Sequence, residues 1–389
     1  MKKIVILGAS GSIGRQALDV IRENTEYEVS KISIGYNVKL LIEILDEFST
    51  IKEVALLDST FVSELQVAYP EINFYVGQKG ILQLLDNIDY DIVLNAIVGF
   101  AGLLPSIKVI KSNKTLALAN KETMVVGGKH ISDLLAQNPQ AKIIPVDSEH
   151  CAIFQCLQNN DKKSVKRLII SASGGSFRDK TLDELQNVSV ADALNHPNWD
   201  MGASITIDSA TMLNKGLEVI EAHWLFDIDY DDIEVVIHRE SIVHSMVEYN
   251  DSSTIAQLSK PNMKQPIAYA FAYPNRANFS TGSLDLTKAF SLSFEPIDLK
   301  RFKGLKLSYQ AGRLGHSYPC VLNAAKEVAT KAFLEEKISF LSIVDYVEQA
   351  LQVHKLIENP SIEDLIKIDN ATRVYITNEI NKESSNGNN

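Results

Sequence analysis

The first 150 residues alternate short apolar runs with amphipathic stretches. Because parallel strands must be joined by crossover helices, this alternation predicts an α/β domain with a Rossmann-like, doubly wound parallel sheet over residues 1–149. The predicted strands are Ile4–Leu7, Glu28–Ile34, Glu53–Leu57, Asn73–Val76, Ile92–Ala96, Thr115–Ala119 and Lys142–Val146. The predicted helices include Gly14–Glu23, Leu40–Phe48, Phe61–Ala68 and Thr123–Leu135.

The pattern changes near residue 150. A central α+β domain over residues 150–275 is predicted from an amphipathic helix, Ala210–Phe226, and from strand-like runs at Arg167–Ala172, Glu234–Ile237, Ser245–Tyr249 and Thr254–Leu258. Residues 276–307 are rich in Pro, Asn, Ser and Asp and predict a linker. Helical spacing then predicts a C-terminal helical domain over 308–380, and the polar residues 381–389 predict a disordered tail.

Composition narrows the function. The chain has 389 residues and a formal net charge of -11, which argues against a nucleic-acid partner, because phosphate contacts need a basic surface. The three cysteines form no metal-ligand pattern and fit a reducing compartment. The most apolar stretch, 92–104, is broken by glycines and too short to span a bilayer. We therefore expect no membrane segment, no export signal and a cytoplasmic location.

A glycine-rich loop, Gly8–Gly14, follows the first strand and opens a helix. Its glycines allow a tight turn, and a helix N-terminus offers free N–H groups to a pyrophosphate. A bare structural turn is the alternative, but the position between strand and helix favours dinucleotide binding. The second strand ends in Ser33–Asn37 without an acidic residue, which favours NADP over NAD because a carboxylate would repel a 2′-phosphate.

Acidic residues suited to a divalent metal follow the last strand of this domain. If the chain stays extended there, Asp147 and Glu149 project to the same side, since strand side chains alternate. Two crowded carboxylates favour a cation between them, and hard oxygen ligands suit Mg²⁺ or Mn²⁺. A solvated acidic turn is the alternative for this segment taken alone.

A second cluster lies on the predicted helix after Asp208. Asn214, Lys215 and Glu218 share one helical face, so the first two can hold phosphate oxygens while Glu218 serves as a third metal ligand. An ordinary surface ion pair between Lys215 and Glu218 is the alternative. Gly216 costs about 1 kcal/mol in a helix relative to alanine, which suggests a close approach by a ligand or backbone.

Three further segments carry candidate chemistry. Ala172–Ser176 follows a strand, and its adjacent glycines can turn N–H groups inward around an anion, although a plain turn also fits. His196–Gly202 combines His, Trp and Met between Pro and Gly, which suggests a loop that closes over a ligand, although a lone histidine is usually structural. Asn120–Glu122 follows a strand where open sheets bind ligands, and Lys121 can polarise a substrate oxygen or simply begin a helix.

Taken in order, these motifs resemble the 1-deoxy-D-xylulose 5-phosphate reductoisomerase family over nearly the whole chain. The matching segments are Gly8–Gly14, Asn120–Glu122, Asp147–His150, Ala172–Gly175, His196–Gly202, Asp208–Glu218, Ser241–Met246 and Gly315–Pro319. Several of these motifs are long and uncommon. The resemblance implies an N-terminal NADPH domain, a catalytic and dimerising domain, a helical C-terminal domain and a homodimer.

The resemblance also implies roles for individual residues. Asp147, Glu149 and Glu218 would bind Mg²⁺, Mn²⁺ or Co²⁺, and Lys121 and Ser148 would contact the oxygen-bearing backbone of the substrate. The phosphate would be held by Ser173, Ser209, Asn214 and Lys215 and positioned with the help of His196, while Trp199 and Met201 would close over substrate and nicotinamide. The cofactor site would be lined by Ser10, Gly11, Ser12, Ile13, Gly35, Tyr36, Asn37, Asn120, Glu122, Met201 and Gly202.

The implied reaction converts a small phosphorylated sugar, 1-deoxy-D-xylulose 5-phosphate, to 2-C-methyl-D-erythritol 4-phosphate in non-mevalonate isoprenoid biosynthesis. The carbon skeleton rearranges through a retro-aldol/aldol sequence with a metal as Lewis acid, and the aldehyde accepts hydride from NADPH. One departure stands out: Tyr36 occupies a position that is often basic in the family. A simple dehydrogenase or a non-catalytic dinucleotide sensor is the alternative, but neither needs the three acidic residues.

Overall fold

In a computed structural model, residues 1–199 and 201–386 are described, and they form two compact units. The first unit comprises Met1–Thr123, Lys129–Phe154 and Asn262–Ser283. The second comprises Met124–Gly128, Gln155–Pro261 and the described residues from Leu284 onwards. Asp200 in the predicted closing loop and residues 387–389 in the predicted tail lie outside the described residues.

The elements are numbered here in chain order. The strands are β1 Lys2–Leu7, β2 Tyr27–Ile34, β3 Glu53–Leu56, β4 Asn73–Val76, β5 Ile92–Asn95, β6 Thr115–Leu118, β7 Lys142–Pro145, β8 Val165–Ala172, β9 Ile233–Ile237, β10 Val243–Tyr249, β11 Thr254–Leu258 and β12 Glu295–Pro296. The helices are α1 Ser12–Arg22, α2 Val38–Glu47, α3 Val62–Ala68, α4 Gly77–Leu84, α5 Leu103–Lys111, α6 Lys121–Gln137, α7 Ser148–Cys156, α8 Val190–Leu194, α9 Ala203–Ala210, α10 Leu213–Phe226, α11 Lys264–Ala272, α12 Lys303–Leu314, α13 Tyr318–Leu334, α14 Phe340–Val353 and α15 Ile362–Asn386.

The first unit is built on a parallel sheet with strand order β4-β3-β2-β1-β5-β6-β7. The prediction of a doubly wound α/β sheet is confirmed. Strands β3 and β5 are buried along their whole length, which explains why they read as continuous apolar runs rather than alternating ones. From β1 the chain runs through β2 and β3 to β4 on one side, and it then returns to place β5 on the other side of β1. The loop after β1 therefore lies at the switch point where such sheets bind ligands.

Helix α11 belongs to the first unit, although the sequence placed residues 150–275 together in one central domain. Its Ile267 and Phe271 are buried in the same hydrophobic core as the sheet. The Phe271 ring packs edge-on against Tyr27 with centroids 5.7 Å apart. Lys264 at the start of α11 pairs with Asp19 of α1 at 2.7 Å. The chain thus returns to the first unit after β11 and before β12 of the second sheet, which local periodicity does not reveal.

The second unit contains a mixed sheet with strand order β11-β10-β8-β9-β12. Strands β8 and β9 are parallel, whereas β8–β10, β10–β11 and β9–β12 are antiparallel. This confirms the predicted α+β class. The helix predicted over Ala210–Phe226 corresponds to α10, which begins at Leu213 and is preceded by a separate helix, α9, that ends at Ala210. Met212 separates them in a left-handed conformation, with φ of 59°.

Two other boundaries differ from the prediction. The predicted linker over 276–307 contains the short strand β12, which pairs with β9, and the first residues of α12. The predicted disorder from residue 381 is wrong as far as Asn386, because α15 continues to that residue. Residues 381–386 are polar, so the sequence shows none of the apolar stripe by which an amphipathic helix is recognised.

Gly216 has a packing role. A Cβ at this position of α10 would lie 2.0 Å from the Ser308 Oγ of α12. The close approach suspected from the sequence is therefore that of a neighbouring helix. Among the described residues, no helix is long and apolar enough to cross a membrane.

The tight turn before α1 can be tested by a substitution at Gly14. A Cβ there would lie 2.3 Å from the Gly8 carbonyl oxygen and 2.6 Å from the Ala9 Cα, and these backbone atoms have little room to move. We expect Gly14→Ala to lower the thermal midpoint by about 5 °C, measured by differential scanning fluorimetry without cofactor. Gly35→Ala is the control, because a Cβ there meets nothing within 4 Å. Equal midpoints for the two variants would contradict the packing described for the turn.

Candidate active site

The glycine loop places open N–H groups at the switch point of the first sheet. Gly8 has φ of +87°, and a Cβ there would lie 2.7 Å from the Ala96 carbonyl oxygen beyond β5. Gly11 caps α1 without any side-chain hydrogen bond, so the first N–H groups of the helix have no side-chain acceptor at that cap. The predicted cofactor residues Ser10, Gly11, Ser12 and Ile13 form this turn. A pyrophosphate fits such a helix start.

The end of β2 carries the remaining cofactor candidates of the first unit. Tyr36 is 74% exposed, and Gly35 beside it has open space where a side chain would stand. The Asn37 side chain accepts a hydrogen bond from the Leu40 N–H at 3.1 Å and caps α2. The side-chain oxygen of Asn37 therefore already accepts a hydrogen bond. No basic residue stands between Ser33 and Asn37.

Asn120 and Glu122 are buried, with 1% and 9% of their surface exposed. The Asn120 amide donates to the carbonyl oxygens of Ile97 and Gly99 at 2.7 and 2.9 Å, and to Glu122 at 2.9 Å. Its oxygen accepts from the Thr123 N–H at 3.0 Å and caps α6. Both side chains were predicted to line the cofactor site. Their hydrogen bonds join the loop after β5 to the start of α6, and their role at the cofactor stays a prediction.

Lys121 and Asp147 meet at the carboxyl edge of the first sheet. The Lys121 ammonium lies 2.7 Å from an Asp147 oxygen, and both side chains are nearly buried. The sequence argument that extended backbone aligns Asp147 with Glu149 is wrong, because α7 begins at Ser148. Asp147 instead caps that helix, accepting from the Glu149 N–H at 3.3 Å. The Ser148 hydroxyl donates to the Glu149 carboxylate at 2.5 Å.

Asp147 is held in its charged form. Burial opposes its ionisation, but the Lys121 ammonium and a hydrogen bond from His150 together hold the pKa of the Asp147 carboxyl well below its usual range. His150 is fully buried, and its Nδ1 lies 3.4 Å from Asp147. Sequence reasoning assigned His150 no role of its own, although its position three residues after Asp147 places the two on one helical face and was a usable signal.

In the second unit, Asn214, Lys215 and Glu218 share one face of α10, as predicted. The Asn214 amide and the Lys215 ammonium donate to the two oxygens of the Glu218 carboxylate. Lys215 and Glu218 are 5% and 1% exposed, so this is not the solvated surface pair of the alternative interpretation. A carboxylate offers hard oxygen atoms of the kind that divalent cations prefer. Lysine thus neutralises an acidic residue in each of the two units.

Ser173, His196 and Ser209 come together beside a turn of two left-handed glycines. Gly174 and Gly175 have φ of +84° and +73°, and a Cβ on Gly175 would lie 2.7 Å from the Ser209 carbonyl oxygen. The His196 Nε2 lies 3.1 Å from the Ser173 Oγ and 3.5 Å from the Ser209 Oγ. Three residues predicted to hold a phosphate therefore converge, although they come from three separate segments.

The hydrogen bonds of His196 determine which groups remain available to a ligand. Its Nδ1 accepts from the N–H groups of Asn198 and Trp199 at 3.1 and 3.0 Å, so the ring proton lies on Nε2 and points to Ser173. The Ser173 Oγ also accepts from the Gly175 N–H at 3.2 Å. With both lone pairs used, its own hydroxyl proton is left to donate outward. A hydroxyl group that donates its proton outward can hydrogen-bond an anionic ligand.

His196 is neutral at physiological pH. Burial, and secondarily the positive charge of Arg178, lower the pKa of its imidazole to about 4. The neutral form is also the form that the two backbone donors require. In the same loop, the Trp199 ring lies 6.1 Å from the ring of buried His244. Met201 is half-buried, and Gly202 caps α9.

A buried anchor at the end of α9 was missed in the sequence. The Asp208 carboxylate accepts from the Lys326 ammonium at 2.7 Å and from the Thr330 hydroxyl at 2.9 Å, both on α13. Asp208 and Lys326 are each 4% exposed. Asp208 was part of a motif noted in the sequence, but its partners lie more than 100 residues away and have no local signal. Arg178 was missed for a different reason, because two of its acceptors are backbone carbonyl oxygens, for which no spacing rule exists.

Comparison with known proteins covers both units. The chain matches the 1-deoxy-D-xylulose 5-phosphate reductoisomerase family model over residues 4–128, and models of that family's C-terminal domain over 143–226 and 258–375. It is 49% identical to the 1-deoxy-D-xylulose 5-phosphate reductoisomerases of a Geobacillus species, strain WCH70, and of Bacillus subtilis, strain 168. Each match covers 97% of this chain and 99% of the relative.

Solved structures agree with the sequence matches. A DOX-P reductoisomerase in complex with NADPH, fosmidomycin and magnesium is similar with a TM-score of 0.93 and 38% identity, covering 98% of each chain. The Zymomonas mobilis 1-deoxy-D-xylulose 5-phosphate reductoisomerase in complex with NADPH is similar with a TM-score of 0.90 and 38% identity. That match covers 97% of this chain and 99% of the other.

The protonation of His196 can be measured directly. We expect NMR of the protein with ¹³C-labelled histidine to show one imidazole, identified by its loss in His196→Asn, that stays neutral from pH 8 to about 5. Since its folded pKa of about 4 lies below the unfolded value, the unfolded chain binds the proton more tightly. The fold therefore loses stability as the pH falls from about 6.5 towards 4. A titration midpoint near 6.5 would contradict the assigned hydrogen bonds.

Proposed function

The chain belongs to the 1-deoxy-D-xylulose 5-phosphate reductoisomerase family, and on that premise we propose that it converts 1-deoxy-D-xylulose 5-phosphate to 2-C-methyl-D-erythritol 4-phosphate with NADPH and a divalent metal. The observation that carries the proposal is similarity over 97% of the chain at 49% identity, which includes both units. A simple dehydrogenase or a dinucleotide sensor would not need the three acidic residues Asp147, Glu149 and Glu218. This reaction is a step of non-mevalonate isoprenoid biosynthesis.

We assign the divalent metal to Asp147, Glu149 and Glu218. The donor set fits such an ion, because it consists of hard carboxylate oxygens and Asp147 is held in its charged form. When bound, a divalent cation supplies Lewis-acid polarisation of substrate oxygens. The chain's own contribution is to fix the ligands: α7 holds Asp147 and Glu149 at its start, and α10 holds Glu218 through two donors. The ion assigned to these residues is Mg²⁺, Mn²⁺ or Co²⁺.

The phosphate of the sugar is assigned to Ser173, Ser209, Asn214 and Lys215, with His196 positioning the first two. The outward hydroxyl proton of Ser173 supports this assignment, because it has no acceptor among the described residues. A neutral His196 adds no charge of its own. Binding a dianion away from the reacting carbons gives the protein energy with which to orient those carbons.

Lys121 and Ser148 are assigned to the oxygen-bearing backbone of the sugar. Both lie at the carboxyl edge of the first sheet, within contact of Asp147 or Glu149. An ammonium there can hold a proton near a substrate oxygen or stabilise negative charge on it. Trp199 and Met201 are assigned to the cover over substrate and nicotinamide, where they would exclude water.

NADPH is assigned to the glycine loop and to the end of β2. The chemistry it supplies is hydride. The open N–H groups at the start of α1 support pyrophosphate binding there. Gly35, Tyr36 and Asn37 would face the adenosine end, Met201 and Gly202 the nicotinamide end. The homodimer and the cytoplasmic location expected from the sequence stay predictions.

The activity itself is the first test. We expect purified protein incubated with 1-deoxy-D-xylulose 5-phosphate, NADPH and Mn²⁺ to lose NADPH absorbance at 340 nm, and EDTA to abolish this loss. NADH should support a lower kcat/KM than NADPH. Oxidation that EDTA does not affect would indicate a simple dehydrogenase. Cofactor binding without any oxidation would indicate a dinucleotide sensor, and either result would overturn the proposal.

A substitution at Glu149 tests metal binding separately from cofactor binding. Glu149→Gln removes the charge and a hard ligand but keeps the shape, so we expect turnover to fall by about 100-fold or more. NADPH binding, followed by its fluorescence, should stay within about twofold of wild type, because the glycine loop is untouched. Glu64→Gln, in the first turn of α3, is the matched control and should leave both unchanged. Wild-type turnover in Glu149→Gln would remove this residue from the metal site.

A further inference from the structure

Arg178 follows the turn of two left-handed glycines and points back across it. Its Nη1 donates to the Ser173 carbonyl oxygen at 3.1 Å, which lies on the backbone of the residue whose hydroxyl is assigned to the phosphate. The Arg178 N–H also bonds the Gly175 carbonyl oxygen at 3.4 Å, closing the turn. A Cβ on Gly174 would lie 2.8 Å from the Arg178 Cβ. Glycine at 174 is therefore required for Arg178 to fold over the turn.

The same guanidinium reaches a second segment of the site. Its Nη1 lies 3.4 Å from the Asn198 Oδ1 and 3.4 Å from the Arg239 carbonyl oxygen, beyond β9. The Asn198 amide donates to that same Arg239 carbonyl oxygen at 2.9 Å. Asn198 in turn supplies one of the two N–H groups that fix the His196 ring. One side chain thus contacts the segment that carries Ser173 and the segment that carries His196.

We propose that Arg178 is a positioning residue for the phosphate site: it holds the Ser173 turn and the His196 loop in register, so that the Ser173 hydroxyl and the His196 ring stay aligned. This inference rests on the phosphate assignment made above. Arg178 acts through these two residues and is not itself assigned to the substrate. Its side chain is 20% exposed, and its nearest carboxylate, Asp179, lies 3.7 Å away, so it is not consumed by a tight ion pair.

Charge gives Arg178 a second effect on the same site. The guanidinium lowers the pKa of His196 in addition to the effect of burial. A protonated His196 would present N–H at Nδ1 to the two backbone donors of Asn198 and Trp199, and these contacts would be lost. The geometry and the charge of Arg178 therefore favour the same state of the loop. A planar fork and a permanent charge are both properties of arginine that other residues reproduce only in part.

Three variants separate these effects. Arg178→Met removes both the hydrogen-bond donors of the guanidinium group and its charge. Arg178→Lys keeps only the charge, and Arg167→Met is the matched control. Arg167 lies on β8, the strand that leads to Ser173, but its guanidinium pairs with Glu234 and Glu248 instead. For each protein the kcat, the KM for 1-deoxy-D-xylulose 5-phosphate, the KM for NADPH, the thermal midpoint and the pH profile of kcat/KM would be measured.

We expect Arg178→Met to raise the KM for the sugar phosphate by about 10-fold or more, with the KM for NADPH within about twofold of wild type. The acid limb of its kcat/KM profile should move to higher pH, because His196 is more easily protonated without the neighbouring charge. Arg178→Lys should return that limb towards wild type while its KM for the sugar phosphate stays raised. Arg167→Met should change neither KM nor the profile.

An unchanged KM for the sugar phosphate in Arg178→Met would overturn the inference. So would a parallel rise in both KM values with a fall in thermal midpoint, since that pattern describes a general loss of structure. If Arg178→Met does not fold, Arg178→Lys decides: a KM raised about fivefold at a wild-type midpoint supports the inference, and a wild-type KM overturns it.

Ser173→Ala distinguishes a failure of this inference from a failure of the proposed function. If Ser173→Ala raises the KM for the sugar phosphate but Arg178→Met does not, the phosphate assignment stands and the positioning role fails. If Ser173→Ala leaves that KM unchanged, the phosphate assignment fails and the positioning role fails with it. Raised KM values in both variants support the proposal.

Discussion

The candidate phosphate site depends on one buried ion pair, Asp208 with Lys326. The carboxylate sits at the end of α9, next to Ser209, and α13 supplies both of its partners. Removing one partner of a buried pair typically costs about 3–5 kcal/mol, because the other charge is left without compensation. Beyond this anchor Met212 takes a left-handed conformation, worth about 1–2 kcal/mol of strain in an L-residue, and α10 begins. The ion pair thus fixes the chain just before Met212, the strained residue between α9 and α10.

In both units a lysine lies against an acidic residue proposed to bind the metal. Lys121 contacts Asp147 in the first unit, and Lys215 contacts Glu218 in the second. Nearly buried carboxylates of this kind would be costly without a positive neighbour, so each of these two carboxylates is compensated within its own unit. The same ammonium groups are the ones proposed to contact the substrate.

The sequence predicted the first sheet well, because its signals are local. Buried strands read as apolar runs, and the glycine loop marks the switch point at residue 8. The shared face of Asn214, Lys215 and Glu218 followed from helical spacing alone. The predictions that failed concern long-range packing or the start of a helix. Helix α11 returns to the first unit after four strands of the second sheet, and α7 begins one residue after Asp147, which removes the expected strand-like alignment. Arg178 and Lys326 act on residues far along the chain or on backbone carbonyls, for which no spacing rule exists.

Tyr36 has a consequence for how cofactor binding would respond to salt. At the end of β2 there is neither a carboxylate to reject a 2′-phosphate nor a cation to attract one, and the tyrosine there is 74% exposed. A single exposed charge contact contributes only about 0–1 kcal/mol, so its absence lowers the preference for NADPH by no more than about that amount. Binding of the cofactor at this turn would then depend little on ionic strength, because no ion pair is present there for salt to screen.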